Sequence, residues 1–458
     1  MIALSLEQLA LVVGGKLLAS APEAQRSICE VTTDTRKVTA GALFIALRGE
    51  RFDAHDFAAQ AQEQGAAALL VERELPLAIA QIVVDDTRLA LGQLGHWVRT
   101  QCRARVVAMT GSSGKTTVKE MTAAILAQRG NVLYTAGNFN NDIGVPLTLL
   151  RLTSEHDYAV MELGANHIGE IAYTTALVQP EAALVNNVMA AHLEGFGSLA
   201  GVRQAKGEIY QGLSATGTAI VNLDIDEHQS WQPALQGKTV RTWSMRQPAD
   251  YTASDIRCAR GLTTFTLHTP EGEQPIALPY PGLHNVSNAL AAAALSIAVG
   301  ASLSDVAAGL ASLQPVKGRL YPLALTPSLL VWDDTYNANV GSMKAGISVL
   351  AQHVGLRILI AGDMGELGDE SAECHQAVGD AARDAGIDQV FTVGVLSQAI
   401  SAPSQGQHFS DKAALLAVLL PYVAQQLQQD ANITLLVKGS RSAAMEDVVR
   451  ALQETFTC

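Results

Sequence analysis

RVVAMTGSSGKTTVKEMTAAIL, residues 105–126, decides the fold. An apolar run reads as a strand and breaks into a tight Gly/Ser turn. After Lys115 and two threonines, Val118, Met121, Ile125 and Leu126 recur on one face of a helix. The general phosphate-loop pattern is G-x-x-x-x-G-K-[ST], and Met109 stands where its first glycine should be. What remains is Gly111-Ser112-Ser113-Gly114-Lys115-Thr116-Thr117. Its two glycines let backbone N–H groups turn inward, and the helix N-terminus adds a positive dipole end. Lys115 can reach the β- and γ-phosphates of a nucleotide, and the Thr116 hydroxyl can ligate Mg²⁺. An ordinary strand–turn–helix connection is the plain alternative. Gly-Lys-Thr-Thr placed between a strand and a helix favours the nucleotide.

The same rhythm continues outward from that loop. YAVMELG (158–164), AALVNNV (182–188) and TAIVNLD (218–224) are short β-rich runs that end in polar or glycine residues, with helical spacers between them. This alternation predicts a mostly parallel, doubly wound sheet. The Thr-rich segment 250–282, with a turn at TPEGE, predicts an appended antiparallel hairpin. From about Gly318, the runs LLVWDDTYNAN (329–339), RILIAGDMGELG (357–368), QVFTVG (389–394) and ITLLVKGSRS (433–442) predict a second α/β sheet, Rossmann-like in plan. The N-terminal stretch mixes short strands with helices. GALFIAL (41–47) reads as a buried strand and DFAAQAQEQGAAALLV (56–71) as helix, glycine stop and strand. The expected division is 1–84, 85–316 and 317–458, an α/β protein of three domains.

Bulk properties narrow the function. The 458 residues are 48% hydrophobic, which is ample for a large core. A net charge of −13 argues against a non-specific nucleic-acid binder. The five cysteines are scattered without a C-x-x-C pair, so neither a zinc knuckle nor a disulfide framework is expected. The apolar N-terminus lacks a basic export region, and Ser5 with Gln8 reads as a capping box. The longest apolar run, 289–300, is too short for a bilayer, which takes about 20 residues. A cytoplasmic protein without membrane insertion is expected.

Glu162 ends the strand YAVMEL, where its carboxylate would face the phosphate loop at the carboxyl edge of the sheet. His192 follows AALVNNV. Mg²⁺ prefers oxygen ligands, so a lone histidine there reads more often as a surface residue than as a ligand. Lys206, in RQAKGEIY, reads on its own as an ordinary solvated lysine.

Taken together, the motifs carry more than any one of them. TGSSGKTT, GNFNNDIGVP (137–146), MELGANHIGEI (161–171), NNVMAAHLEGFGS (186–198), AKGEIY (205–210), GLHNVSNALAAAA (282–294), KGRL (317–320), DDTYNAN (333–339) and VKGSRS (437–442) occur in that order. TTDTRKVTAGALFIALRGERFDAHDF (32–57) extends the match, so the chain resembles the Mur ligases of peptidoglycan synthesis essentially from end to end. Within the family it is most similar to the branch that takes UDP-MurNAc-tripeptide and D-Ala-D-Ala as substrates.

The resemblance implies that ATP phosphorylates the terminal carboxylate of the tripeptide to an acyl phosphate. The dipeptide amine attacks it, and a tetrahedral intermediate collapses to an amide with release of ADP and phosphate. It implies that Lys115 holds the β/γ-phosphates and that Thr116 and Glu162 bind the Mg²⁺ shared with ATP. His192 would serve a second Mg²⁺. Lys206 would match a position carried as a carbamate in several members. Asn288 matches a position that contacts adenine, Arg319 one that reaches the γ-phosphate from the third domain, and Asp334 one near the ribose; outside the family pattern, Arg319 reads as a surface arginine and Asp334 as a strand-end turn aspartate. The N-terminal domain would take the uridine diphosphate through Thr33, Asp34, Thr35 and Arg36, with Thr35 where the family commonly has Ser. Arg36 and Arg48 read either as pyrophosphate contacts or as exposed arginines. Asn138, Asn140 and Asn141 suit a sugar-peptide path and equally suit turns. Ser440 and Arg441, read as the start of a helix after a strand, could hold the dipeptide carboxylate, and N-capping by Ser440 is the rival. The three domains are expected to close on ATP in a monomer.

Other readings are available. Folylpolyglutamate synthetase shares the central and C-terminal plan but lacks the N-terminal segment. A P-loop nucleotide switch would have little use for Glu162, His192 and Lys206. A non-catalytic UDP-sugar binding module would have no use for Lys115 and Thr116.

Overall fold

The computed structural model describes residues 1–49, 52–190, 193–259 and 261–457. Around the opening motif, Arg105–Thr110 forms the strand and Lys115–Leu126 the helix, with Val118, Met121, Ile125 and Leu126 all fully buried. The strand lies inside a six-stranded, all-parallel sheet. Its order is Thr239–Trp243, Thr218–Asn222, Ala182–Val185, Arg105–Thr110, Tyr158–Glu162, Val132–Tyr134. The phosphate-loop strand therefore has Ala182–Val185 on one side and Tyr158–Glu162 on the other. The winding reverses there, and a crevice opens beyond the carboxyl ends of those strands. Glu162 pairs with Met109 in register, so its side chain stands at the mouth of that crevice.

The helix Leu283–Ala298, rich in alanine, packs against Lys115–Leu126, and Leu303–Ala311 covers the same helix from outside. Gly309 makes that approach possible, because a Cβ there would stand 2.4 Å from the Ile125 Cα. The Thr-rich segment forms the expected antiparallel element, extended to three strands, Thr252–Ala259, Leu262–Thr269 and Gly272–Leu278. The TPEGE turn joins only the last two. A second turn at Gly261, with φ +82, adds the third strand.

The N-terminal sheet has the order Lys16–Leu18, Ala80–Val83, Ala68–Val71, Leu43–Ile45, Val31–Thr32, parallel except for its first pair. Ser5 and Gln8 form the capping box over Leu6–Val12. The long helix Thr87–Gln101 ties this part to the central sheet, with Gly95 laid against Pro146 and Gly92 against Tyr173. The C-terminal sheet runs Tyr321–Thr326, Leu329–Asp334, Ile433–Lys438, Leu356–Gly362, Gln389–Val393, Gln407–Phe409, with only the first pair antiparallel. Its two faces are covered by separate apolar clusters, as a doubly wound sheet requires. Among the described residues, no helix is long and apolar enough to cross a membrane, and Cys29, Cys102, Cys258 and Cys374 are free thiols.

Candidate active site

The crevice at the switch point is a cleft of about 890 Å³, walled on one side by the phosphate loop and on the other by the C-terminal sheet. The loop is built by the strand beside it. Asn187 accepts the Ser113 N–H at 2.8 Å through Oδ1 and the Ser112 N–H at 3.1 Å through its carbonyl. Asn186 and Asn187 each donate an amide N–H to the Ser113 carbonyl at 3.0 Å. The Ser112 hydroxyl bonds the Met189 main chain in both directions, at 3.0 and 3.2 Å. Gly114 takes φ +73, and a Cβ there would meet Asn186 Nδ2 and Asn288 Oδ1, both at 2.7 Å. Only glycine meets both demands.

Asn288 is buried. Its Oδ1 accepts from Asn186 Nδ2 at 2.9 Å and its Nδ2 donates to Asn285 at 3.1 Å. Asn186 Oδ1 is buried without a hydrogen-bond partner. Such an atom is costly unless a ligand satisfies it.

At the other end of the loop, charge is concentrated. Lys115 Nζ donates to the Gly111 carbonyl at 2.8 Å. Burial pulls its pKa below the usual lysine range, with Glu162 opposing and Arg319 reinforcing that shift. Thr116 Oγ1 donates to Glu162 Oε2 at 3.0 Å and accepts from Arg319 Nη2 at 2.9 Å. The guanidinium lies 4.2 Å from the centre of the Tyr336 ring, a cation–π contact. Asn140 donates to the second Glu162 oxygen at 2.8 Å. Lys206, also buried, stands over Phe196, and burial together with Lys115 brings its pKa down to about 7. The C-terminal part closes the cleft. Asn339 Nδ2 donates to the Ser112 carbonyl at 3.3 Å, and Gly341 faces Met189 so closely that a Cβ would lie 2.0 Å from its sulfur.

Thr116 and Glu162 offer hard oxygen donors side by side, the donor type Mg²⁺ takes. Among the described residues no cluster of three or more His, Cys, Asp or Glu side chains stands ready for a metal, so further oxygens would have to come with a ligand. Phosphate oxygens are the kind this loop is shaped for.

The structure thus gathers Ser112, Ser113, Gly114, Lys115, Thr116, Thr117, Asn138, Asn140, Glu162, Asn288, Arg319 and Asp334 around one cleft. Asp334 is engaged from within. Lys438 Nζ pairs with it at 2.7 Å and the Leu320 N–H with its other oxygen at 3.2 Å, while burial raises its pKa against the pull of Lys438. Asn141 stands back from the cleft and caps Gly144. Thr33, Asp34, Thr35, Arg36 and Arg48 do not line the cleft. Asp34 caps the turn Thr35–Lys37 and clamps Arg36 at 2.8–2.9 Å, whereas Arg48 reaches Glu72 at 3.3 Å. His192 lies outside the described residues.

The expected helix start at Ser440 is corrected. Arg441–Ala443 is a single 3₁₀ turn, and the α-helix begins at Glu446. Ala444 takes φ +47, which breaks the helix before it can start at Ser440, and Arg441 pairs with Glu446. Asn186, Asn187, Tyr336 and Asn339 are cleft residues that the residue-by-residue reading passed over. Their one signal is a pair of consecutive amides placed directly after an apolar strand.

Three family models match in chain order. They are the Mur ligase family, catalytic domain (27–96), the Mur ligase middle domain (109–296), and the Mur ligase, glutamate ligase domain (318–441). The chain is 58% identical to the UDP-N-acetylmuramoyl-tripeptide–D-alanyl-D-alanine ligase of Escherichia coli, over 100% of both chains. A crystal structure of MurF from Acinetobacter baumannii superposes with TM-score 0.93 at 41% identity, covering 99% of each chain. MurF from Thermotoga maritima in complex with ADP superposes with TM-score 0.84 at 25% identity, covering 93% of this chain and 97% of that one. The phosphate loop at the switch point, the arginine that crosses to it and this full-length similarity converge: the chain belongs to the Mur ligase family.

Proposed function

We propose that the protein is an ATP-dependent amide ligase that joins D-alanyl-D-alanine to UDP-MurNAc-tripeptide, as the names of its full-length relatives say of them. The observation that carries this reading is Arg319. From the C-terminal part it reaches the Thr116 hydroxyl, beside Glu162 and Lys115. That brings together positive charge from two parts of the chain where a phosphoryl group must pass between two anions.

The chemistry assigns the residues. A carboxylate is a poor electrophile because its leaving group would be an oxide ion. Its oxygen therefore takes the terminal phosphoryl group of ATP, and ADP departs. The dipeptide amine, having lost a proton, adds to the acyl carbon. The tetrahedral adduct then expels phosphate, which keeps the carboxyl oxygen. Lys115 and Arg319 steady the phosphoryl oxygens. Thr116 and Glu162 would hold Mg²⁺, which when bound neutralises charge between the phosphates. Asn288, lining the cleft and held by Asn186 and Asn285, lies against the adenine. Lys206, with its lowered pKa, carries a large fraction of neutral amine near pH 7, the form that takes up CO₂ as a carbamate.

Residues 1–84 receive the uridine diphosphate through Thr33, Asp34 and Thr35, with Arg36 and Arg48 at its pyrophosphate. Residues 85–316 hold ATP, with Asn138 and Asn140 along the muramoyl-peptide path. Residues 317–458 take the dipeptide, its carboxylate drawing Arg441 from Glu446. The enzyme works as a cytoplasmic monomer. The test is phosphate release from ATP with each substrate alone and with both, with mass detection of the amide. ¹⁸O placed in the tripeptide carboxylate must appear in the phosphate. Release without either substrate would favour a nucleotide switch. Lys115→Ala is expected to abolish turnover with an unchanged circular-dichroism spectrum.

A further inference from the structure

Lys119 sits one helical turn beyond Lys115, does not line the cleft, and is 1% exposed. A lysine is among the residues least often fully buried without a partner. Here the partners are specific. Its Nζ donates to the Thr135 carbonyl at 2.8 Å, meets Glu120 Oε1 at 3.0 Å and lies over the Tyr134 ring. Thr135 is fully buried and follows the edge strand Val132–Tyr134. Its own Oγ1 accepts the Glu162 N–H at 3.0 Å. From Thr135 the chain turns toward Asn140, whose amide donates to Glu162 Oε1. Glu162 is thus held by three groups. Thr116 is on the phosphate-loop helix, while Thr135 and Asn140 both belong to the loop whose root Lys119 grips.

We infer that Lys119 is a positioning residue. By pinning the Thr135 carbonyl to the phosphate-loop helix it sets where the 135–141 loop leaves the sheet, and so aims the Glu162 carboxylate at the oxygen of Thr116. A methionine would fill the same volume, but it could not bond a carbonyl at the point where the edge strand ends. The inference rests on the reading of Glu162 as the metal-side carboxylate.

The experiment measures ADP affinity by calorimetry in excess Mg²⁺ and in chelator, on the full chain. The ratio of the two dissociation constants reports the metal-dependent part of binding. In the parent that ratio is large, and Glu162→Gln collapses it. Lys119→Met lowers the ratio about tenfold, the usual cost of losing a group that orients a metal ligand, and leaves the chelator value within about twofold. Hydrogen exchange in 136–141 rises in the same variant. Thr135→Val, which removes the hydroxyl at constant shape, reproduces the effect, while Thr135→Ser keeps the parent ratio. If Lys119→Met fails to fold, Lys119→Gln, a polar side chain one bond shorter, carries the comparison. A parent-like ratio in Lys119→Met or Lys119→Gln, with Glu162→Gln collapsed, overturns the positioning role alone, even if the melting temperature falls. A parent without metal dependence, or an unaffected Glu162→Gln, removes the Glu162 reading and this inference with it.

Discussion

Arg319 makes two kinds of contact at once, a hydrogen bond to Thr116 and a cation–π contact with Tyr336. Lysine can supply the charge but neither the plane nor the fork. Arg319→Lys is therefore expected to lower kcat by roughly 10²- to 10³-fold, the cost of removing one such donor. KM for the dipeptide should move little, which steady-state kinetics would show. Lys206 permits a test without turnover. Burial lowers its pKa to about 7, so above that pH the folded chain has released a proton that the unfolded chain still holds. Stability should then rise with pH from about 7 toward the ordinary lysine value, by up to about 1.4 kcal/mol per pH unit. Lys206→Met lacks the group, so urea midpoints of the two proteins, in metal-free and CO₂-free buffer, should converge between pH 7 and 9. Parallel curves would mean that Lys206 is solvated. Lys115, Thr116, Glu162 and Arg319 could be picked from the chain because each falls at a strand end or within a short motif. Asn187 and Tyr336 could not, since an amide or an aromatic ring at such a place has many uses and only contact reveals which one applies.

The strands that the sequence pattern displayed are those buried on both faces, such as Val107 to Met109 and Leu184 to Val185. The edge strands Val132–Tyr134 and Gln407–Phe409 have three residues each, too few to set a period. Tyr321–Thr326 contains Pro322, which an outer strand tolerates and an inner one does not. The third strand of the Thr-rich sheet escaped for a related reason, because the turn at Gly261 has none of the usual two-residue hairpin pairs. Helix packing yields its own test. At Gly309 the helix Leu303–Ala311 touches the backbone of Lys115–Leu126, which cannot move aside as a side chain can. Gly309→Ala should destabilise the fold by about 1–3 kcal/mol, the range for overpacking, despite alanine's better helix propensity. A raised urea midpoint would show that the two helices part without cost.

At the scale of the whole molecule, the C-terminal part rests on the phosphate loop through Arg319, Asn339 and Gly341. The Arg319 and Asn339 contacts are hydrogen bonds, which can open and re-form. Small-angle scattering should show compaction when an ATP analogue and the tripeptide substrate are added together. Gly341→Leu sets a branched side chain against Met189 and should hold the parts open. ADP affinity would stay within a few-fold while ligation falls by about a hundredfold or more, as misplacement of distant groups does. Equal compaction in that variant would disconnect closure from this contact. The web of Ser112, Ser113, Asn187 and Met189 has a further consequence. A socket whose walls are already laced to one another has no floppy ensemble to freeze when its guest arrives, so capture forfeits little chain entropy. The strength of the grip is then governed mainly by the freedom the incoming nucleotide itself surrenders.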